Sequence, residues 1–221
     1  MNILAFNGSP RTKGNTALLL EEFLKGAREY GAYCEAIHTS DIELKNCRGC
    51  LRCNVIKRCS IGKDDWKMLS NKILGADVLV FASPIYFHHV TAPLKNIIDR
   101  FRSFVHVQIT ESGLRHTPWH RWNKKFILLL CMGSPSSSEA QPVINLFTSM
   151  VHMLGSENSL HYVTATRLAV TRQVVMSKDE LQKLYVKMRI PAHLVEKDHK
   201  SNREILQSCC ALGREMGRSV L

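Results

Sequence analysis

Short apolar runs alternate along the chain with segments of helical periodicity. Asn2–Phe6 is the first run and ends at Gly8, the pattern of a buried strand that feeds a turn. From Thr16 the apolar residues Leu20, Phe23, Leu24, Ala27 and Tyr30 recur at helical spacing, and Gly31 closes that helix. Tyr33–His38 predicts a second strand. A loop then leads to Asp64 and Asp65, read as the first turn of a helix reaching about Leu74, where acidic charge suits the positive end of the dipole. Asp77–Ala82 is the clearest strand, β-branched and apolar, and runs into Ser83-Pro84. A helix follows near Thr91, with Pro93 in its first turn and Leu94, Ile97, Ile98 and Phe101 on one face. Phe126–Met132 is the fourth strand, ended by Gly133, and Ser134–Ser138 is a polar turn before a helix to about Leu154. Leu160–Ala165 is the fifth strand. Five strands alternating with helices predict an α/β fold with a parallel sheet covered on both faces.

The pattern changes beyond Thr166. Ser177-x-x-Glu180 and Ser201-x-x-Glu204 both read as capping boxes, each opening a helix, with Pro191 breaking the chain between them. Ile205, Cys209, Leu212 and Met216 form an apolar stripe on the last helix. The division is therefore a sheet domain at 1–165 and a helical extension at 166–221, docked on the domain or on another subunit. The stripe makes Cys209 a packing residue; its neighbour Cys210 stays open between packing and a redox pair.

Two segments carry chemistry. The first is Gly8-Ser9-Pro10-Arg11-Thr12-Lys13-Gly14-Asn15-Thr16, a loop that leaves a buried strand and opens a helix. Such a loop presents free backbone N–H groups and the positive dipole end to an anion. Ser9, Thr12, Asn15 and Thr16 add side-chain donors, Arg11 adds charge, and Gly8 and Gly14 permit close approach of the backbone. Its glycine spacing is not that of a Walker A loop, and Asn15 stands where that loop needs lysine. Nor does it match the dinucleotide fingerprint. It reads as a phosphate-binding loop, against the plainer alternative of a helix start after a turn. Ligands of open α/β sheets lie beyond the carboxyl ends of the strands. Two further loops belong to that edge, Ser83–Val90 and Gly133–Ser138. Ser83-Pro84-Ile85-Tyr86-Phe87-His88-His89 is aromatic where a solvent loop is normally polar, so it suits a wall against a flat ring. Tyr86, His88 and His89 are candidates for lining that face; no catalytic nucleophile or base is assigned.

The second segment packs four of the eight cysteines, Cys47, Cys50, Cys53 and Cys59, into thirteen residues. Two-residue gaps let neighbouring thiolates turn toward one centre, closer to ferredoxin-type ligation than to the two separated knuckles common at zinc sites. Zinc and free thiols stay open beside an iron–sulfur reading. Arg48, Arg52, Lys57 and Arg58 interleave the cysteines, so neutralising Arg48 and Arg52 is expected to lower the potential of a bound cluster.

Composition bounds the rest. At 221 residues with 45% hydrophobic content the chain suits one sizeable domain with an appendage. No apolar run reaches the roughly 20 residues of a membrane span. The start Met1-Asn2-Ile3-Leu4-Ala5-Phe6 has no secretory character, so a cytoplasmic protein with clustered redox or metal-ligating thiols is expected. The net charge of +11 is spread without a basic tail, and aromatics make up only 7%, against a single-strand nucleic-acid binder and in favour of an acidic redox partner or plain solubility.

Gly8-Ser9-Pro10-Arg11, Gly14-Asn15-Thr16, Ser83-Pro84-Ile85-Tyr86-Phe87 and Leu94-Lys95-Asn96-Ile97-Ile98-Asp99-Arg100 together resemble the flavodoxin-like NAD(P)H-dependent FMN reductase superfamily. With the four cysteines between them, the chain resembles its iron–sulfur flavoprotein branch, over about residues 1–165. The resemblance implies a flavodoxin-like fold and FMN with its phosphate on Ser9, Arg11, Thr12, Gly14, Asn15 and Thr16. It implies an isoalloxazine ring on Ser83, Pro84, Ile85, Tyr86 and Phe87, with Gly133 on the third loop. It further implies a [4Fe–4S] cluster on Cys47, Cys50, Cys53 and Cys59, and dimers or tetramers. His88-His89 depart from the small residue common after the aromatic in that branch. Asp99 and Arg100 read as helix residues that could pair between subunits. Electrons would pass between ferredoxin or NAD(P)H and an acceptor the residues do not name. The rivals are an FMN or quinone reductase without a cluster and a zinc-stabilised basic binding module.

Overall fold

The structure is a computed structural model that describes residues 1–218. Strands β1 (Asn2–Asn7), β2 (Tyr33–His38), β3 (Val78–Pro84), β6 (Lys125–Cys131) and β7 (Ser159–Ala165) form one sheet in the order β2-β1-β3-β6-β7. Every neighbouring pair in that sheet is parallel, with Ile3 beside Val78, Leu79 beside Phe126 and Leu129 beside Val163. This is the flavodoxin-like order, which reverses direction at β1 and β3.

Alternation within the strands divides the core in two. Leu4, Phe6, Leu79, Phe81, Phe126, Leu128 and Leu130 belong to an aromatic-rich cluster with α3 (Trp66–Gly75), α4 (Ala92–Arg100) and α5 (Gln141–Leu154). Ile3, Ala5, Val78, Val80, Ile127 and Leu129 belong to a second cluster with α1 (Asn15–Arg28) and the long α7 (Leu194–Arg218). In that second layer Cys209 and Met216 are fully buried, so the apolar stripe of the last helix docks on this chain's own domain. Gly26 and Gly213 let α1 and α7 touch backbone to backbone: a Cβ on Gly213 would lie 1.9 Å from the Phe23 carbonyl oxygen.

Three local readings are corrected. The helix expected at Ser201 begins at Leu194, and Ser201 lies inside it, whereas the capping box at Ser177 and Glu180 is formed and opens α6 (Lys178–Met188). Asp64 and Asp65 precede α3 rather than forming its first turn. Their carboxylates accept from the N–H groups of Trp66, Lys45 and Glu43, which stitches the cysteine-bearing loop shut. Between α4 and β6 the chain forms a hairpin absent from the sequence reading, β4 (Val105–Thr110) against β5 (Gly113–Pro118). Its signal was present in the alternation of Val105, Val107 and Ile109 before the Glu111-Ser112-Gly113 turn. Among the described residues no helix is long and apolar enough to cross a membrane.

Candidate functional site

The carboxyl ends of β1, β3, β6 and β7 open onto one cleft. One wall is the β1–α1 loop. Asn7 Oδ1 accepts from the Ser9 N–H at 3.0 Å and Ser9 Oγ accepts from the Arg11 N–H at 3.1 Å, which folds the loop over the sheet edge. Gly14 is the N-cap of α1 and supplies no side-chain cap, so the first N–H groups of α1 open on the cleft unused. A Cβ at Gly14 would lie 3.0 Å from Arg11 Cβ, so a side chain there would require Arg11 to shift by a few tenths of an ångström. Ser9, Arg11, Gly14, Asn15 and Thr16 line the cleft; Thr12 is exposed and does not. The donor set suits a phosphate group.

The second wall is Pro84, Ile85 and Tyr86, and the third carries Gly133. Ser83 is fully buried behind the loop, where its Oγ donates to the Pro84 carbonyl oxygen at 2.8 Å and accepts from the Thr91 N–H. It shapes the loop rather than lining the cleft. Phe87 stands wholly exposed at the tip of a tight turn closed by paired hydrogen bonds between Tyr86 and His89. Phe87 and His88 both take positive φ, +48° and +61°, conformations that side chains adopt at a cost. Pro84, Ile85 and Tyr86 line the cleft, and Phe87 does not.

Sequence reasoning missed a fourth wall. Leu168 and Ala169, from the segment after β7, line the cleft opposite the phosphate loop, and Cys131 and Met132 line its base. Arg11 Nη1 donates to the Ala169 carbonyl oxygen at 3.0 Å. The Asn15 amide is committed to the same segment, donating to Val170 O at 2.8 Å and accepting from the Val174 N–H at 3.1 Å. Asn15 therefore offers a ligand its backbone N–H rather than its side chain. The rule that placed three loops at this edge also applies to the connection after Leu160–Ala165. Burial pushes the Cys131 thiol up to about 12, against a smaller opposing effect of its hydrogen bond with Thr16, so it remains a protonated wall residue.

The four cysteines line a separate cavity, with Arg48, Arg100, Arg102 and Ser103. Gly49, Leu51 and Lys57 hold positive φ of +61°, +55° and +56°, and these left-handed residues curl the loop around it. Cys53 is buried at the start of the short α2 (Cys53–Ile56), where burial raises its pKa and Arg102 Nη1 lies 3.5 Å from its sulfur. Cys50 is exposed, and the Arg52 N–H together with the Ser60 hydroxyl lowers its pKa. Among the described residues no three Cys, His, Asp or Glu side chains gather as for a single metal ion. Four cysteines on the wall of one cavity supply the thiolate count that a [4Fe–4S] group or a single zinc ion would need.

Arg100 corrects an expectation. It is buried within this chain and paired with Asp64 at 2.6 Å, so it is not available to a neighbouring subunit; Asp99 pairs with Lys95 on its own helix. Burial pushes the Asp64 carboxyl up, but the hydrogen bonds from Arg100 and from the Lys45 and Trp66 N–H groups outweigh it and hold it below its ordinary value.

Residues 1–166 match the family described as NADPH-dependent FMN reductase. Curated relatives include an iron–sulfur flavoprotein of Archaeoglobus fulgidus, 38% identical over 126 residues that cover 52% of this chain and 61% of that protein. Another is an iron–sulfur flavoprotein of Methanocaldococcus jannaschii, 40% identical over 102 residues covering 46% and 52%. The match thus spans about half to three-fifths of the length of these relatives. An NAD(P)H:quinone oxidoreductase from Methanothermobacter marburgensis has a similar structure, with a TM-score of 0.66 at 15% identity over 98% of both chains. That likeness establishes the flavodoxin-like fold. The phosphate-type loop, the aromatic loop beside it and the match across three-quarters of its length together mean that this chain belongs to the NADPH-dependent FMN reductase family.

Proposed function

We propose that the chain is an FMN-dependent oxidoreductase that also carries a [4Fe–4S] cluster. It would pass electrons between a reduced donor, ferredoxin or NAD(P)H, and a small-molecule or protein acceptor. The observation that carries this reading is the pairing of two sites in one domain: a cleft walled by a helix N-terminus and an aromatic loop, and a cavity lined by Cys47, Cys50, Cys53 and Cys59. Bound flavin supplies two-electron chemistry and a cluster supplies one-electron steps, so the protein's part is placement and tuning. The α1 N-terminus, Ser9 and Thr16 hold the phosphate end, while Arg11 adds charge from its tether on Ala169. Pro84, Ile85 and Tyr86 exclude water from one face of the ring, with Gly133 leaving room on the β6 side. The 1–165 domain holds both groups, and the 166–221 extension braces the cleft.

The exposed Phe87, together with Val55, Ile109 and Leu114 near the cysteine cavity, suits a homodimer or homotetramer in which these apolar side chains are covered. Eight free thiols suit a cytoplasmic location, and the basic surface suits an acidic redox partner. A second reading, an NAD(P)H-dependent FMN or quinone reductase without a cluster, is favoured by the description of the family itself, which names flavin alone.

Anaerobic purification separates these readings. Brown protein with flavin, iron and acid-labile sulfide supports the first. Yellow protein without iron supports the second, and colourless protein with zinc would leave only a metal-stabilised binding module. Cys50→Ala should remove the brown component and keep the flavin.

A further inference from the structure

The cysteine cavity has a buried arginine on its wall whose donors are only partly used. Arg100 is 1% exposed and ends α4. Its Nη1 donates to the Lys45 carbonyl oxygen at 2.7 Å and to Asp64 Oδ2 at 2.6 Å, and its guanidinium carbon lies 5.0 Å from the Trp66 ring centroid. Nε and Nη2 are shut off from solvent and have no acceptor among the described residues. Leaving a buried donor unpaired costs about 1–3 kcal/mol, and more when it is charged, so folded proteins seldom do it without use. Arg100 lines the same cavity as Cys47, Cys50, Cys53 and Cys59.

Resting on the reading of that cavity as a cluster site, we propose that Arg100 is the principal tuning residue for the cluster, its buried positive charge raising the reduction potential. A centre held by four thiolates is anionic, and reduction adds one electron and one further negative charge. A cation beside it stabilises the reduced form, and hydrogen bonds toward its sulfurs act in the same direction.

Position decides which cation matters. Arg48, Arg52, Lys57 and Arg58, which interleave the cysteines in sequence, are all exposed, Arg48 at the rim of the same cavity, and the high dielectric of the surrounding water weakens each charge. Arg100 acts from the interior, where the same charge is felt several times more strongly. Asp64 offsets part of that charge, so its removal should act in the opposite sense. Arg102 reaches Cys53 Sγ but also donates to Val105 O and Asn54 Oδ1, which leaves it a role at one ligand.

Anaerobic redox titration of the holoprotein tests this, with iron and sulfide content measured alongside. Arg100→Gln should shift the cluster potential downward, Arg100→Lys less so, and Asp64→Asn upward. Asp64→Asn with Arg100→Gln removes both charges together and should return the potential toward the wild-type value. The double variant Arg48→Gln with Arg52→Gln should move the potential less than Arg100→Gln. If Arg100→Gln does not fold, Arg100→Lys and Asp64→Asn decide the matter by the same signs. A cluster whose potential is indifferent to position 100, or follows Arg48 and Arg52 instead, overturns this inference alone. Wild-type protein that takes up no iron or sulfide overturns the cluster reading and this inference with it.

Discussion

Asn15 ties the start of α1 to the segment after β7: its side-chain Nδ2 donates to the Val170 carbonyl oxygen at 2.8 Å. The other end of the same amide accepts from the Val174 N–H. Gln173 Oε1 accepts from the N–H groups of Ala169 and Val170, and Asn202 on α7 donates to the Gln173 carbonyl oxygen at 3.2 Å. The C-terminal helix thereby braces the wall that faces the phosphate loop.

Asn15→Ala should therefore weaken FMN binding by about tenfold or more without removing any phosphate donor, and should lower stability by about 1–3 kcal/mol. Asn15→Asp keeps the acceptor, loses the donor and adds a negative charge near the phosphate, so it should bind more weakly still. Quenching of flavin fluorescence on titration into apoprotein measures both. An unchanged dissociation constant for Asn15→Ala would show that the brace has no bearing on the flavin.

The α1–α7 contact predicts a sharp contrast between glycines. Gly213→Ala would place a Cβ 1.9 Å from the Phe23 carbonyl oxygen and must push the helices apart, at a cost of about 3 kcal/mol or more. Gly75 ends α3 with nothing within 4 Å of an added Cβ, so Gly75→Ala should be neutral or stabilising by about 0.5–1 kcal/mol. Urea denaturation followed by circular dichroism distinguishes the two.

Asp64 makes stability depend on acidity. Its pKa is lowered in the folded state, so its contribution is fully present above the ordinary aspartate value of about 4 and is lost as pH falls below it. Asp64→Asn, which leaves the buried Arg100 without its charge partner, should cost about 3–5 kcal/mol at neutral pH. The variant should also lose part of the acid sensitivity of the wild type. Denaturation midpoints between pH 3 and 7, on the order of the carboxylate range, check the sign; parallel curves for the two proteins would contradict it.

The turn at Phe87 and His88 trades stability for an exposed aromatic. Both residues hold positive φ in a two-residue hairpin turn, a position that Asn-Gly fills without strain. Phe87→Asn with His88→Gly should raise stability by about 1 kcal/mol. If Phe87 contacts a partner subunit or acceptor, the same variant should lose quinone or flavin reduction or shift toward monomer in sedimentation. A variant that is less stable than wild type would refute the strain argument.

Much of this architecture was legible locally. The five sheet strands were identified in chain order because runs such as Asp77–Ala82 and Phe126–Met132 are apolar on both faces, as strands buried under two helical layers must be. Gly14, Ser9 and Thr16 marked the helix start at Asn15 because the chemistry of a helix N-terminus depends on neighbours within a turn. The hairpin at Val105–Pro118 carried a local signal too, but its short alternating strands lie outside the main sheet, and the search for a βα repeat passed over them.

What the tertiary structure alone decided concerns choice among partners. Asn15 could serve a phosphate or a backbone, and a segment 155 residues away settles it by supplying Val170 O. Ser201 carries a capping-box pattern, yet the helix starts at Leu194 because residues upstream also pack, with Val195 and Asp198 buried. Arg100 reads as a helix residue that could pair between subunits, and only the fold buries it in a pair with Asp64 beside the four cysteines. Periodicity and capping act over a few residues and are written along the chain. Burial and the strength of a charge depend on what arrives from far away, and those are properties of the fold.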